Sequence, residues 1–367
     1  MQRVLVVVVL LMPAVLVDGL LAPILSSAKE GFRSVKAAIL PAYAEVQAVA
    51  SYVHQGAANG GVNVVTYNVQ EAPVSGLQSG LTSKDRVQYI PGTQTIKDRN
   101  NDIVVFTNVY RDSSFRDLKT LMSSNGFAST SAPGQPMNVK SSGGVFIAVR
   151  TPVLRQDTRV FSKCGCYTTC LMSSPGFVYV ETTMADQKVA IVGTSLQADG
   201  VTGCSATEVQ DARRTQVEEI RQFLSENAQQ MDIVILAGDL NVNNRPDASP
   251  TEANEYRDLM SLIGAGAVEM QGGTLTASCD PNTNSEMRLQ GDSRLRNSDY
   301  VLSVAVNGKP AHPTVNEVQA VKHPLKPQQD LSSHHAVAGF VALSGGSIPA
   351  PISLVASLLV LVLTCST

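Results

Sequence analysis

Short apolar and β-branched runs recur along the chain from Val62 to Leu343, and turn-forming residues separate them. Runs of this length between turns are typical of buried strands. The clearest predicted helix begins at Ser205, because Glu208 completes a capping box and apolar residues then recur on one face as far as Leu224. The predicted strands are residues 62–67, 102–106, 144–149, 177–183, 188–193, 232–237, 299–304 and 336–343. This alternation of strands and helices predicts one α/β domain.

Polar residues stand next to the ends of several predicted strands. Those that follow a strand are Asn68, Asn108, Ser195, Asp239 and Asn241, and His334 precedes the last strand. Any one of them alone is better explained as a turn former, a cap or an exposed loop residue. Ligands of α/β sheets collect where loops leave the strand ends, so together these residues predict one site at one edge.

Composition and charge exclude some classes of protein. Of the 367 residues, 44% are hydrophobic and 16% are charged, which is sufficient for a buried core and excludes a wholly disordered or fibrous chain. The 28 Lys and Arg residues against 31 Asp and Glu residues give a formal net charge of −3. This balance lacks the basic excess that accompanies binding to a polyphosphate backbone, so we do not expect a nucleic-acid partner.

The N-terminal residues have the pattern of a secretory signal peptide. Residues 1–17 combine Arg3 with an apolar stretch that is too short and too interrupted by proline for a membrane span. Small residues allow cleavage after Gly19 or after Ala28. We therefore predict that residues 1–19 are a signal peptide and that residues 20–61 are an N-terminal extension and linker.

The C-terminal residues have the pattern of a GPI-anchor signal. The small residues 344–347 precede an apolar run at 352–363, which is shorter than the roughly 20 residues of a spanning helix. A tail that is retained or buried is the alternative. The predicted folded domain is residues 62–343, and residues 344–367 would be removed as the anchor signal. We expect the protein on the extracellular face of the plasma membrane or secreted.

The cysteines follow from that interpretation, because Cys365 would leave with the tail. The five that remain are Cys164, Cys166, Cys170, Cys204 and Cys279. Export permits disulfides, and we predict one or two. A zinc site at the first three is the alternative, but no fourth Cys or His lies beside them at zinc-ribbon spacing.

Several local motifs occur in a fixed order between residues 62 and 343. They are TYNVQ at 66–70, VGTSLQADGVTGC at 192–204, ILAGDLNVN at 235–243, SDYVLS at 298–303 and LSSHHAVAGF at 331–340. With these motifs the chain resembles the exonuclease-endonuclease-phosphatase superfamily of DNase I-like fold, and within it the neutral sphingomyelinase C type. The resemblance implies a four-layered α/β sandwich, in which two packed mixed sheets are flanked by helices. It also implies that Cys204 pairs with Cys164, Cys166 or Cys170.

The resemblance implies phosphodiester hydrolysis that depends on Mg²⁺ or another divalent metal. In such a reaction the metal polarises a phosphoryl oxygen and a carboxylate-oriented histidine activates water. Asn68, Asp239 and Asn241 match the family's phosphate and water contacts, and His334 matches its general base. The implied ligand of the protein is the phosphodiester headgroup of a phospholipid such as sphingomyelin.

Several charged or protonatable groups of the family are replaced in this chain. The metal-binding glutamate falls on Asn108, a histidine falls on Ser195, and the aspartate next to the general base falls on Ser333. A lysine falls on Pro175, and a further aspartate falls on Thr169 or Cys170. Because magnesium prefers carboxylate oxygen, we expect weak metal binding, with Asp239 as the remaining metal-ligating carboxylate. Because Ser333 replaces the aspartate, we also expect no orienting carboxylate for His334.

Two classes of function stay open at this point. The first is a surface phosphodiesterase of the sphingomyelinase type whose hydrolysis is weak or lost. The second is a pseudoenzyme that binds a phospholipid headgroup, a membrane or a protein partner. A nuclease is less favoured because of the charge balance. The membrane contact is expected through the GPI anchor, and the sequence does not determine the oligomeric state.

Overall fold

The computed structural model describes residues 5–9, 60–71, 83–129, 143–164, 173–200, 203–271, 275–343 and 359–363. The chain divides into two units, of which the smaller combines the two chain ends and the larger is Gln55–Ile348. In the smaller unit, strand Leu5–Val9 pairs antiparallel with Leu359–Leu363. Gly60 and Gly61, the last residues of the predicted linker, are described, and Gly61 begins a strand of the larger unit. The rest of the predicted signal peptide, extension and anchor signal lies outside the described residues, so these assignments stay predictions.

The strands of the larger unit are β1 (Gly61–Asn68), β2 (Ile103–Thr107), β3 (Ala128–Ser129), β4 (Phe146–Val149), β5 (Arg155–Val160), β6 (Gly176–Met184), β7 (Gln187–Ser195), β8 (Ile233–Asp239), β9 (Val268–Met270), β10 (Asp299–Ser303), β11 (Thr314–Gln319), β12 (Lys322–His323), β13 (Lys326–Asp330) and β14 (Ala336–Ala342). The helices are α1 (Ser83–Tyr89), α2 (Gln94–Lys97), α3 (Asp112–Ser124), α4 (Ala206–Asn227), α5 (Pro250–Ile263) and α6 (Ser285–Gln290), with a 3₁₀ turn at Ile90–Gly92. Every apolar run predicted to be a strand is one.

The strands form two mixed sheets and a small hairpin. The first sheet has the order β9-β11-β14-β1-β2-β4-β3, and the second has the order β10-β8-β7-β6-β5. Strands β1 and β2 are parallel, as are β7 and β8 and the pair β9 and β11, whereas the other neighbours are antiparallel. Strands β12 and β13 pair with each other.

Alternation along the strands divides the buried side chains into three apolar layers, because successive residues point to opposite faces of a sheet. Val64, Val105 and Ile147 of the first sheet pack with Ile191, Ile235 and Val301 of the second between the sheets. The intervening residues of the first sheet pack against α1, α2 and α3, and those of the second pack against α4 and α5. This is the predicted four-layered sandwich.

The helix boundaries follow local chemistry. Ser205 accepts a hydrogen bond from the Glu208 backbone N–H and Glu208 returns one, so the predicted capping box is confirmed. Helix α5 has the same device at Ser249 and Glu252, with Pro250 in its first turn. None of the described helices is long and apolar enough to cross a membrane.

The segment between β2 and α3 is held by Glu71. Its buried carboxylate accepts hydrogen bonds from the backbone N–H groups of Tyr110 (2.8 Å) and Arg111 (3.1 Å) and from the Ser114 hydroxyl. The Glu71 N–H donates to the carbonyl of Asn108 at 3.1 Å. A carboxylate at this place also interacts favourably with the N-terminal end of the α3 dipole. Glu71 therefore fixes both the start of α3 and the backbone that carries Asn108.

We expect Glu71→Gln to lower the free energy of unfolding by about 1–3 kcal/mol, because the glutamine amide presents N–H groups to donors that need an acceptor. Ser205→Ala, which removes an exposed cap, is the matched comparison and should cost about 1 kcal/mol. Urea unfolding followed by circular dichroism measures both. A Glu71→Gln protein as stable as the wild type would contradict this assignment.

Candidate active site

Three polar side chains share one row across the second sheet. Strand pairing places Ser195 at the end of β7 opposite Asp239 at the end of β8, and Asp239 opposite Asp299 at the start of β10. All three lie an even number of residues along their strands from side chains that point between the sheets, such as Ile235 and Val301, and so they point to the same face. They therefore lie at one open end of the layer between the sheets.

Asn68 reaches this row from the first sheet. It is the last residue of β1, and its Nδ2 donates to Asp239 Oδ2 at 2.9 Å and lies 3.5 Å from His334 Nε2. The Asn68 side-chain oxygen accepts from the Gln70 N–H at 2.7 Å, which fixes the orientation of the amide. The structure thus brings Asn68, Asp239 and His334 into contact, although the first and last are 266 residues apart.

Backbone geometry explains why glycine and asparagine occupy positions 238 and 241 of the GDLN motif. A side chain on Gly238 would place its Cβ 1.8 Å from the Thr194 carbonyl oxygen, so only glycine permits β8 to approach β7 here. Asn241 takes a left-handed backbone conformation (φ 52°), which asparagine tolerates better than most residues. Its N–H donates to Asp239 Oδ1 at 3.1 Å, and its Nδ2 donates to the Leu196 carbonyl at 3.1 Å. Asn241 therefore holds the Asp239 carboxylate in place.

His334 has a carboxylate partner, and the expectation that it lacks one is wrong. Its Nδ1 lies 2.7 Å from Asp299 Oδ2, and both side chains are buried. Ser333 does not fill this role: its N–H donates to the Gln70 side-chain oxygen at 2.7 Å. The aspartate that orients the histidine comes from β10, 35 residues earlier, rather than from the neighbouring residue.

A buried ion pair supports the loop that carries His334. Arg86 of α1 contacts Glu286 of α6 at 3.3 Å, with both side chains fully buried. The Arg86 guanidinium also donates to the Leu331 carbonyl and to the Gln70 side-chain oxygen, each at 2.8 Å. Since Gln70 accepts from Ser333 as well, this network ties the loop before β14 to the end of β1.

Asn108 lies in a cluster of neutral groups. It follows β2 in a left-handed conformation (φ 55°). Its Oδ1 accepts a hydrogen bond from the Tyr110 hydroxyl at 3.0 Å and another from the Ser195 hydroxyl at 3.4 Å. The two positions at which the resemblance implies a glutamate and a histidine are therefore neighbours, and they bond to each other.

The residues around Asn108 do not fit magnesium. That ion requires a near-octahedral shell and favours carboxylate oxygens. Asn108 offers a neutral amide oxygen, which already accepts from Tyr110 and Ser195, at the position where the resemblance implies a carboxylate. We therefore derive no step of a reaction through magnesium at this place.

The electrostatics of the site reflect two neighbouring buried carboxylates. Burial and the negative charge of Asp299 raise the pKa of Asp239 to about 6, against the opposing effects of His334 and Arg296. Burial disfavours the charged form of His334, but its interactions with Cys279 and Asp299 outweigh this and raise its pKa well above the ordinary value. The direction of this shift favours the protonated imidazolium over the neutral ring that accepts a proton.

The structure adds three residues that were absent from the predicted site: Asp299, Cys279 and Arg296. Asp299 lies in the SDYVLS motif and opens a predicted strand, so its position at a strand end was a usable signal. Cys279 Sγ lies 3.5 Å from His334 Nδ1, and Cys279 exchanges two backbone hydrogen bonds with Arg296. Nothing in the local sequence marks these two as site residues.

Two of the substituted positions lie in the segment that contains the clustered cysteines. Pro175 directly precedes β6, and its carbonyl accepts from the Phe161 N–H at 2.9 Å, which is a structural contact. Thr169, Cys166 and Cys170 lie outside the described residues. Cys164 and Cys204 are disulfide-bonded, and the pairing implied for Cys204 stays a prediction.

Comparisons with known proteins identify the family and the fold. A family model, that of the Endonuclease/Exonuclease/phosphatase family, matches residues 65–326. A sphingomyelinase C of Bacillus cereus is 28% identical over 309 residues, which cover 78% of this chain and 90% of that protein.

Solved structures share the fold. The crystal structure of sphingomyelinase C from Streptomyces griseocarneus superimposes with a TM-score of 0.64 at 24% identity and covers 77% of this chain and 99% of that one. A Staphylococcus aureus beta toxin mutant with bound magnesium ions gives a TM-score of 0.64 at 22% identity, with the same shares covered. The chain therefore belongs to the Endonuclease/Exonuclease/phosphatase family, within which its relatives are sphingomyelinase C-like proteins.

Proposed function

We propose that this protein binds the phosphodiester headgroup of a phospholipid such as sphingomyelin and that its metal-dependent hydrolysis is weak or lost. The observation that carries the proposal is the cluster at Asn108, where an amide oxygen bonded to Tyr110 and Ser195 stands in place of a metal carboxylate. The substrate class comes from the sphingomyelinase C relatives.

The retained residues support binding more than turnover. Asp299 holds His334 at 2.7 Å and contributes to its raised pKa. The Arg296 guanidinium, which pairs with Asp292 at 3.0 Å, is close enough to lower the pKa of Asp239. Positive groups near a site attract a phosphate anion. A raised pKa of His334 favours the imidazolium, which does not activate water, and this agrees with slow hydrolysis.

We expect the purified chain to release phosphocholine from sphingomyelin at least about 10⁴-fold more slowly than Bacillus cereus sphingomyelinase C, in magnesium, manganese or cobalt. The estimate follows because loss of a positioned acid or base costs about 10²- to 10⁴-fold, and here the metal ligand is replaced as well. Turnover within tenfold of the bacterial enzyme would refute weak hydrolysis. Equal binding to sphingomyelin vesicles and to vesicles of a phosphate-free glycolipid would refute headgroup binding.

A double variant in the same assay serves as the positive comparison. Asn108→Glu with Ser195→His restores a carboxylate and an imidazole at neighbouring positions, and should raise magnesium-dependent turnover beyond the combined effect of the two single variants. Adding Ser333→Asp should change little, since Asp299 already orients His334. A folded double variant without any gain would show that these two replacements do not limit hydrolysis.

We expect Asp239→Asn to stabilise the protein by about 1–2 kcal/mol at pH 7.5. Asparagine removes a charge whose burial raises the carboxyl pKa to about 6, and each pKa unit corresponds to about 1.4 kcal/mol. The loss of one hydrogen bond offsets part of this gain. Below pH 3.8 the carboxyl is protonated in the folded and the unfolded state, so the electrostatic gain should vanish and only the cost of the lost hydrogen bond should remain. The electrostatic gain should grow between pH 3.8 and 6 and then stay constant. Urea unfolding at pH 4 and 7.5 measures it, and exposed Asp247→Asn should show no gain. An equal effect at both pH values would contradict the assigned electrostatics.

We also propose that the chain is exported and anchored at the outer cell surface, with a disulfide that joins Cys204 to the clustered cysteines. The support is the apolar pattern of residues 1–17 and 352–363 and the small residues at 344–347. Phosphatidylinositol-specific phospholipase should release the protein from intact cells that express the full chain. Protein that stays cell-associated after the treatment and still carries Thr367 would refute the anchor.

A further inference from the structure

A buried thiol faces the histidine–aspartate pair. Cys279 Sγ lies 3.5 Å from His334 Nδ1, 3.8 Å from His334 Nε2 and 3.2 Å from Ser298 Oγ. Cys279 is a free thiol and is 1% exposed. A buried cysteine that serves only as a small apolar residue packs against carbon atoms, whereas this sulfur is surrounded by polar atoms.

We infer that Cys279, Asp299 and His334 form a binding site for a thiophilic divalent cation, namely Zn²⁺. One ligand atom from each residue lies within 4.8 Å of the others. Thiolate, imidazole and carboxylate are the three ligand types that zinc takes in proteins, and sulfur disfavours magnesium and calcium. This site differs from the Asn108 position in both its residues and its metal preference.

The distances are suited to tetrahedral zinc. Bond lengths of about 2.3 Å to sulfur and about 2.0 Å to nitrogen place those two ligand atoms about 3.5 Å apart in a tetrahedron. The separation between Cys279 Sγ and His334 Nδ1 has this value. The Asp299 Oδ2 atom is closer to Nδ1, at 2.7 Å, because a hydrogen bond now joins them. Zinc binding replaces this hydrogen bond, and the thiol and Nδ1 release their protons to solvent.

A second observation points to a ligand at this place. Asp299 is fully buried, and its Oδ1 has no hydrogen-bond partner among the described residues. Leaving a buried carboxylate oxygen unpaired is costly, so this atom is a ready ligand for a cation that enters the cluster. Asp299 therefore has one oxygen bonded to His334 and another that is unpaired among the described residues.

Zinc at this cluster would hold the His334 imidazole and exclude it from proton transfer. This consequence rests on the proposed function, whereas zinc binding itself does not. The binding measurements below use no activity, so failure of the site and failure of the proposed function are distinguishable.

The test is metal binding by the purified full chain. Equilibrium dialysis should find one Zn²⁺ per chain that excess magnesium does not displace, and cobalt should give the near-ultraviolet thiolate-to-metal charge-transfer band. Cys279→Ser should abolish that band and weaken zinc binding by at least about 100-fold, since even groups outside the ligand set contribute about 10- to 100-fold. Ser298→Ala is the control for a group that contacts the ligands without being one, because its hydroxyl lies 3.2 Å from Cys279 Sγ and donates to Asp299 Oδ2 at 3.3 Å. It should keep the charge-transfer band and weaken zinc binding less than Cys279→Ser does.

Two results would overturn the site. One is the absence of a charge-transfer band in the wild-type protein, a measurement that does not depend on whether a variant folds. The other is zinc binding that persists unchanged in folded Cys279→Ser, which would place the metal elsewhere, for example at the clustered cysteines. Affinity should also rise with pH, because binding releases protons.

Discussion

Two carboxylates held side by side in a buried position are the constraint on which the site depends. The antiparallel register of β8 and β10 places Asp239 opposite Asp299, and neither side chain reaches bulk water. Their mutual repulsion must be balanced by nearby donors and positive charge. Asn68 and Asn241 donate to the first carboxylate, and His334 bonds to the second. The strand register thus places Asp299 where it adds to the effect of Cys279 in raising the pKa of His334.

The polar groups at this end of the sandwich fall into two parts that do different chemistry. The pair His334 and Asp299 retains the arrangement of an acid–base dyad. The other part consists of the neutral side chains of Asn108, Tyr110 and Ser195, which are hydrogen-bonded to one another through Asn108 Oδ1. A phosphodiesterase needs charge to stabilise the transition state as well as a proton carrier, so one part without the other supports binding better than turnover.

The histidine loop takes its position from a network that lies behind the site. Arg86 and Glu286 form a fully buried ion pair, which is costly unless every remaining donor is satisfied. Arg86 also donates to Leu331 and Gln70, which satisfies further donors of its guanidinium, and Gln70 in turn accepts from Ser333. The scaffold therefore keeps the loop ordered even though polar residues next to the histidine differ from the family pattern.

The sequence by itself determined the sheets, the capped helix at Ser205 and the polar strand ends at Asp239 and His334, because period-two burial and capping are encoded within a few residues. The tertiary structure alone decided which groups meet there. Asp299 reaches His334 across 35 residues and Cys279 reaches it across 55, through strand register and loop path. Such contacts depend on the packing of the whole sandwich, so no local pattern specifies them.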